Sequence, residues 1–381
     1  MKKLLSFFLT LALVLSLAAC AAPKQTEPAQ TEPAQTEPAQ TEPAQTEPEP
    51  AEPASLTFTD SAGRQVEVPA EITRVAPSGA VATMFLASVC PEYLVSVGSA
   101  PTEAQAKYLD ARLCDLPETG QMYGGKGTLN LEQLLATEPQ IIIDLGDKKK
   151  TVGEDMDALQ EQTGVPTVFI EADLAHMAQA FRMLGSLLSG KEARCEELAL
   201  YVEETLALAE QGAAAVRDDE RVSVMYTSGA SGLDTNAKGS SQAQVIELVG
   251  AVNAVEVENV SNKGGGNTVS PEQMYLFDPD VILFTSGSLY GQTDGDPVWQ
   301  PLRAVQEGRT YEIPSLPYNW MSNPPSLNML LGVRWLGNLL YPQYYDCDMV
   351  AETQRAYRLL WGCELSDAEV TELLSRSTLK N

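Results

Sequence analysis

Gly120-Gln121-Met122-Tyr123-Gly124-Gly125-Lys126-Gly127 is the first segment whose residue types suggest ligand chemistry. Its spacing fits the phosphate-loop pattern GxxxxGK. A nucleotide loop needs Ser or Thr directly after the lysine to hold magnesium, however, and Gly127 stands there. What remains is a pliant stretch in which Gly124 and Gly125 separate a phenol, Tyr123, from an ammonium, Lys126. Those groups suit an anionic ligand, and the same composition also suits a solvated turn.

Other short segments extend this set. Ser78-Gly79 follows an apolar run at 72–76, and Thr227-Ser228-Gly229 follows one at 222–226. Strand C-termini in parallel α/β sheets face the crevice where ligands sit, and small residues there leave backbone amides open to an anion. Lys148-Lys149-Lys150 follows the run 141–145 in the same way, although a block of like charge also reads as a solvated face. Lys238 lies in the polar loop beyond Thr227. Trp320 sits in a Pro- and Asn-rich loop, where a flat ring can stack on a macrocycle or catecholate for about 1 kcal/mol beyond burial. The ligand-binding candidates are therefore Ser78, Gly79, Tyr123, Gly124, Gly125, Lys126, Ser228, Lys238 and Trp320.

Catalysis finds little support. His176 is the single histidine and opens a helical stretch, where a capping or surface role suffices. A Ser-His-Asp arrangement would depend on it, and no GxSxG elbow supplies the serine. Metal sites built from several histidines are disfavoured as well, and a bare divalent metal held by carboxylates is the alternative that stays open. The chain reads as a binder with no catalytic residue, no metal ligand set and no resident cofactor.

The elements that position these residues alternate between strand and helix. Strands are predicted at 72–76, 94–98, 141–145 and 167–170, with helices at 80–89 and from Asn130 to before Pro139. Then come a strand at 222–226, helices at 243–249 and from Pro271, and strands at 281–285 and 309–313. Short apolar strands between helices imply parallel sheets covered on both faces. Between the two groups lie helical stretches at 175–188 and 191–216, broken at Ser189-Gly190. The second places Cys195, Leu198, Val202, Leu206, Ala209 and Ala213 on one face and would run about 39 Å. The fold class is α/β: two Rossmann-like lobes with parallel sheets, joined by one long α-helix, with the ligand cleft between them.

The N-terminal region has a different character. Lys2 and Lys3 precede an apolar run from Leu4 to Leu17, shorter than a membrane span of roughly 20 residues. It ends on Leu17-Ala18-Ala19-Cys20, which resembles the lipobox of bacterial lipoproteins; in that family the cysteine receives the lipid and becomes the mature N-terminus. Thr26-Glu27-Pro28-Ala29-Gln30 then repeats four times, rich in proline and charge and without apolar residues to bury, as an extended spacer would be. Acidic residues number 52 against 25 basic, for a net charge of −27, and loss of Lys2 and Lys3 with the leader makes it −29. Nucleic acid is excluded as a partner on that balance. Past Cys20 the cysteines are Cys90, Cys114, Cys195, Cys347 and Cys363, an odd number without CxxC spacing, and their pairing stays open.

A faint internal duplication links the two lobes. Asn130-Leu131-Glu132-Gln133 and Ser270-Pro271-Glu272-Gln273 recur at an offset of 140, each followed by a proline, Pro139 or Pro279, and an apolar run. Arg74-Val75 and Arg221-Val222 recur at an offset of 147. Asn130 and Ser270 read as helix N-caps, with Pro271 at N1 and each glutamate favoured by the helix dipole. The whole pattern, with the C-terminal run Tyr318-Asn319-Trp320 through Pro324-Pro325-Ser326-Leu327-Asn328 to Trp335-Leu336 and Leu339-Leu340-Tyr341-Pro342, resembles the solute-binding lipoproteins of iron-siderophore, haem and cobalamin ABC importers.

That resemblance implies that Glu132 and Glu272 dock on the two subunits of an ABC permease dimer. It also implies that the small-molecule ligand is an iron complex, siderophore or haem. Cobalamin, or an oxyanion such as molybdate, is the alternative ligand, and an anchored sensor without transport the alternative role. The chain divides into a signal peptide at 1–19, a linker at 20–55 lipid-anchored to the membrane through Cys20, and a first lobe at 56–172. A connecting helix at 173–218 and a second lobe with terminal helices at 219–381 follow, all facing the extracellular or periplasmic side.

Overall fold

The structure is a computed structural model that describes residues 54–123 and 127–378. Cys20 and Gly124, Gly125 and Lys126 lie outside the described residues.

Strand β1 (Ser55–Thr59) pairs antiparallel with β2 (Gln65–Pro69). Their turn is fixed by Asp60, whose Oδ1 accepts the N–H groups of Ala62 and Arg64 at 2.9 Å. The first lobe proper is a parallel sheet in the order β3 (Val75–Pro77), β4 (Ile141–Gly146), β5 (Thr167–Glu171). Every residue of β3 and the first five of β4 are buried, which is why Ile141, Ile142 and Ile143 need no polar alternation. Helix α1 runs Ala80–Val89, α2 Glu103–Ala106, α3 Leu131–Ala136 and α4 Val152–Thr163.

The expected strand at 94–98 is reduced to two isolated bridges, Val75 with Leu94 and Val97 with Glu118. The segment changes partner midway: Val95 N–H donates to Val75 C=O at 3.1 Å, whereas Val97 N–H donates to Pro117 C=O at 3.0 Å. Neither pairing runs far enough to make a ladder.

Helices α5 (Met177–Leu187) and α6 (Glu192–Ala215) form the link, separated where Gly190 takes a left-handed φ of +74°. Helix α6 has 24 residues and so spans about 36 Å. Its buried face carries Cys195, Leu198, Val202 and Ala209 as the periodicity predicts, with Tyr201, Thr205 and Gly212 beside them.

The second lobe holds β6 (Ser223–Ser228), β7 (Asp234–Thr235), helix α7 (Gln244–Leu248), β8 (Val252–Asn253), β9 (Asn267–Thr268), α8 (Pro271–Phe277) and β10 (Val281–Phe284). Helix α9 (Arg303–Gln306) and β11 (Thr310–Glu312) complete its sheet region. The sheet order is β11-β10-β6-β7-β9, with β8 beside the first half of β6. Strands β6, β8, β10 and β11 are parallel; β7 and β9 extend the edge antiparallel, which the sequence did not foretell.

Three helices end the chain: α10 (Asn328–Leu340), α11 (Met349–Trp361) and α12 (Asp367–Leu374). Helix α11 lies back across α1 of the first lobe. Arg194 of α6 fastens this crossing, donating to the Ser88 carbonyl at 3.1 Å and to the Leu359 carbonyl. One continuous core therefore runs from Phe85 through Phe181 and Leu198 to Leu336 and Tyr357. All five cysteines past Cys20 are free thiols, with Cys90 and Cys195 buried.

Helices α6, α10 and α11 share a buried polar network. Arg334 of α10, 5 % exposed, donates to Thr205 Oγ1 at 2.9 Å and Glu204 Oε1 at 2.9 Å and lies 3.2 Å from Glu352 Oε1. Tyr201 OH donates to the same Glu352 oxygen at 2.8 Å. Removing one partner of a buried pair strands the other charge in a poor solvent. Glu352→Ala is expected to lower the unfolding free energy by about 3 kcal/mol in urea denaturation. A loss below about 1 kcal/mol would show that Glu204 and Thr205 satisfy Arg334 unaided.

Candidate functional site

The start of α1 is open. Gly79 is its N-cap, no side chain caps it, and the first turn holds no acidic residue. The first intrahelical bond runs from Thr83 N–H to Gly79 C=O at 2.9 Å, so the amides before it face outward. Close backbone packing around this end requires glycine at two positions. A Cβ on Gly98 would sit 2.5 Å from the Gly79 carbonyl carbon, and one on Gly79 would sit 2.9 Å from Gln121 Cβ. Met122 N–H donates to Ser78 C=O at 2.8 Å, which carries Tyr123 to the same place.

These groups line a cavity of about 280 Å³ between the first lobe and the loop of Pro324 and Pro325. Ser78, Gly79 and Tyr123 all line it, together with Gln121, Asp144, Asp147 and Lys149. Lys149 Nζ stands 3.4 Å over the Tyr123 ring, a cation–π contact that fixes the ammonium at the cavity wall. Tyr123 OH donates to Asp155 Oδ2 at 2.8 Å, and burial with this acceptor pushes the phenol above its ordinary range. The dipole of a ten-residue helix, open amides and one held ammonium make an anion-binding arrangement.

A second pair of features lies away from the cavity. Glu132 and Glu272 each stand in the first turn of their helix. Asn130 Oδ1 accepts Gln133 N–H at 3.1 Å, and Ser270 Oγ accepts Gln273 N–H at 3.3 Å. Helix α8 closes a full capping box, with Ser270 N–H donating to Gln273 Oε1 at 2.9 Å. Both helices show the same order of exposure: glutamate exposed, Leu134 or Met274 fully buried, then Leu135 or Tyr275 at 38 % and 39 % exposure. The repeat at offset 140 is thus a repeat of surface chemistry as well as of capping.

The sequence matches the family model described as "Periplasmic binding protein" over residues 79–317. The chain belongs to the periplasmic binding protein family. Among solved structures it is similar to an ABC transporter solute binding protein from Sulfurospirillum deleyianum, at 28 % identity and a TM-score of 0.76, covering 84 % of this chain and 99 % of that one. A periplasmic solute binding protein from Veillonella parvula shares the fold at 23 % identity and a TM-score of 0.69, covering 85 % and 98 %. A molybdate periplasmic binding protein from Haemophilus influenzae does so at 19 % identity and a TM-score of 0.63, covering 82 % and 99 %. No curated protein matches the sequence.

In this periplasmic binding protein the remaining candidates are scattered. Ser228 ends β6 with its hydroxyl donating to the Asp234 carbonyl at 3.3 Å, and it does not line the cavity. Lys238 points to solvent and pairs with Glu256 at 2.9 Å. Trp320 is a correction: it is 0 % exposed and belongs to the main core, so it presents no ring face to a ligand. Its loop can be buried because it satisfies its own backbone. Trp320 N–H donates to Pro314 C=O at 3.0 Å, Asn319 Oδ1 accepts Met321 N–H at 2.9 Å, and Asn328 Nδ2 donates to Ser322 C=O at 3.2 Å. A Cβ on Gly332 would lie 2.1 Å from the Trp320 carbonyl oxygen, so the loop is seated on α10.

Lys149 was visible only as one of three lysines, of which Lys148 instead donates to the Ser61 carbonyl at 2.7 Å. Asp144 was missed, although an acid inside the apolar run 141–145 is itself a signal. Its carboxyl is buried beside Ser78, whose hydroxyl donates to it. Burial raises it above the ordinary 3.8, against the lowering effects of Ser78 and Lys149. Burial, reinforced by the charge of Asp173, also raises Asp147.

A raised carboxyl favours the folded state below its unfolded value, and that benefit is lost as pH rises through the folded value. Asp144→Asn, which keeps an oxygen for Ser78, is therefore expected to raise the thermal unfolding midpoint near neutral pH. The gain should shrink as pH falls and vanish below 3.8. A pH-independent difference between the two proteins would mean that the carboxyl is not held in its uncharged form.

Proposed function

We propose that this protein is the solute-receiving component of an ABC importer and that its cleft takes a compact anion. The observation that carries the reading is the convergence of the uncapped α1 N-terminus and the Tyr123-held Lys149 on one cavity. Periplasmic binding proteins capture solutes rather than transform them, and the similar Sulfurospirillum protein is described as an ABC transporter component.

The cavity favours the oxyanion alternative over the iron complex. At about 280 Å³ it lies at the lower edge of ordinary small-molecule sites. Burial of Trp320 removes the one aromatic platform proposed for a macrocycle or catecholate. Burial also shifts Asp144 towards its uncharged form, which weakens its repulsion of an anion. The structurally similar Haemophilus protein is described as bound to molybdate.

A thermal-shift panel of molybdate, tungstate, phosphate, sulfate, ferric siderophores, haem and cobalamin tests the ligand class. A compact oxyanion is expected to stabilise the protein, and Lys149→Ala to weaken it about tenfold, the worth of one charged hydrogen bond. Stabilisation by haem or a siderophore alone would restore the iron complex.

Delivery rests on the paired helix starts. Glu132 beside Leu135 and Glu272 beside Tyr275 present an acid and an exposed apolar side chain from each lobe. Leu276, 84 % exposed, enlarges the second patch. Two equivalent patches fit two equivalent permease subunits, with each glutamate meeting a basic side chain. Anchorage by lipid at Cys20, with the 20–55 repeat as tether, belongs to the same proposal and places the protein at the membrane on the extracellular or periplasmic side.

Exposed ion pairs contribute about 0.2–1 kcal/mol each, so single substitutions should give modest defects. Glu132→Arg with Glu272→Arg is expected to abolish uptake while ligand affinity stays unchanged. Normal uptake by the double variant would overturn docking through these glutamates, and lost ligand binding would move them into the site.

A further inference from the structure

Glu171 closes β5, and Asp173 and His176 follow it before α5 begins. His176 Nδ1 lies 2.7 Å from Asp173 Oδ1 and 3.9 Å from Glu171 Oε1. One ligand atom from each of the three residues falls within 4.8 Å of the others. Nitrogen and oxygen ligands at zinc bond lengths of about 2.0–2.1 Å stand about 3.3 Å apart around a tetrahedral ion. The two distances bracket that spacing.

We propose that Glu171, Asp173 and His176 form a site for a divalent cation of the zinc class, at the rim between the lobes. One imidazole with two carboxylates selects borderline transition metals over magnesium or calcium, which take oxygen ligands alone. None of the three residues lines the anion cavity, which adjoins the groove beside them at Asp147, and the site does not depend on the transport reading.

Its surroundings fit a cation. Asp173 and Asp147 line a groove of about 740 Å³ together with Glu210 of α6 and Glu247 of α7, and among the described residues no lysine or arginine lines it. The nearby Lys148 donates to the Ser61 carbonyl, and its charge still acts on His176 against the two carboxylates. A groove of one charge sign raises the local concentration of the opposite ion.

A purely local role accounts for part of the cluster only. Asp173 Oδ1 accepts the His176 backbone N–H at 2.9 Å and so caps the turn into α5. The cap and the 2.7 Å ring contact use the same oxygen, Oδ1, whose two lone pairs can serve the N–H and a cation together, and the cap does not involve Glu171. In the free protein the imidazole contact with Asp173 holds the ring in place, and a cation would replace the shared proton.

Because His176 is the only histidine, its ring resonances report this site alone. The untagged mature protein would be titrated with Zn²⁺ by calorimetry and by NMR of the histidine ring, with Co²⁺ absorption as a second probe. One Zn²⁺ per chain and a shifted His176 ring are expected. Affinity should fall at least about tenfold in Glu171→Gln, His176→Ala and Asp173→Asn. Asp173→Asn is the informative variant, since asparagine keeps the cap and loses the charged ligand. Zinc uptake unchanged in these variants, an unmoved His176 ring, or equal binding of Mg²⁺ would each overturn the proposal and leave Asp173 as a helix cap.

Discussion

Tyr345 sets the distance between the connecting helix and the second lobe. Its ring fills the space above Gly212 of α6 and Gly337 of α10: a Cβ on the first would lie 2.2 Å from the ring and one on the second 2.4 Å. Its hydroxyl donates to the Ala209 carbonyl at 3.0 Å. With α6 and α10 held at that spacing, Arg334 reaches Thr205 and Glu352 without leaving the protein interior. On the other flank Cys195 packs against Gly185 of α5, and Arg194 joins Ser88 of α1 to Leu359 of α11. The connecting helix is therefore gripped along its length from both lobes.

Charge in this protein has to be read locally. A chain of net charge −27 that takes an anion is a contradiction only if every carboxylate is felt at the site. At physiological ionic strength exposed charges beyond about 8 Å are largely screened. The start of α1 and Lys149 line the proposed anion cavity together with Asp144 and Asp147, so the local balance is set by these groups rather than by the net charge. The acidic groove behaves in the opposite way within the same cleft. Asp147 lines both spaces, with Lys149 on one side and Asp173 on the other, so the boundary between anion-favouring and cation-favouring surface passes through one residue.

What sequence could reveal follows from how far each feature reaches along the chain. Helix α1 occupies 80–89 as predicted, because apolar composition and the preceding Ser78-Gly79 are local signals. The capped starts of α3 and α8 were legible for the same reason. The position of Lys149 over Tyr123 depends on two segments 26 residues apart, and periodicity carries no trace of it. The loop around Trp320 looked solvent-facing because loops usually leave their backbone to water. Here Asn319 and Asn328 supply the missing partners, a distinction made by tertiary contact alone. The return of α11 onto α1 likewise has no local signature. Cys20 and the glycines and lysine at 124–126 lie outside the described residues, so their assignments rest on sequence.

The two helix starts show how a single residue can serve folding and recognition without conflict. A carboxylate kept for a partner must stay charged and exposed while that partner is absent, which ordinarily favours an internal cation that would later have to be displaced. Among the described residues neither Glu132 nor Glu272 forms such an ion pair. The helix start takes the cation's place. Backbone amides at the first turn, with Ser270, lower Glu272 below the usual carboxylate range, and the residue remains fully exposed. Its charge is held by dipoles that would remain in place in the proposed docking. Buried Met274 and the capping box fix the helix beneath it, so the side chain is presented from a rigid base. Glu132, over buried Leu134 and behind the Asn130 cap, stands at the corresponding position of the other lobe.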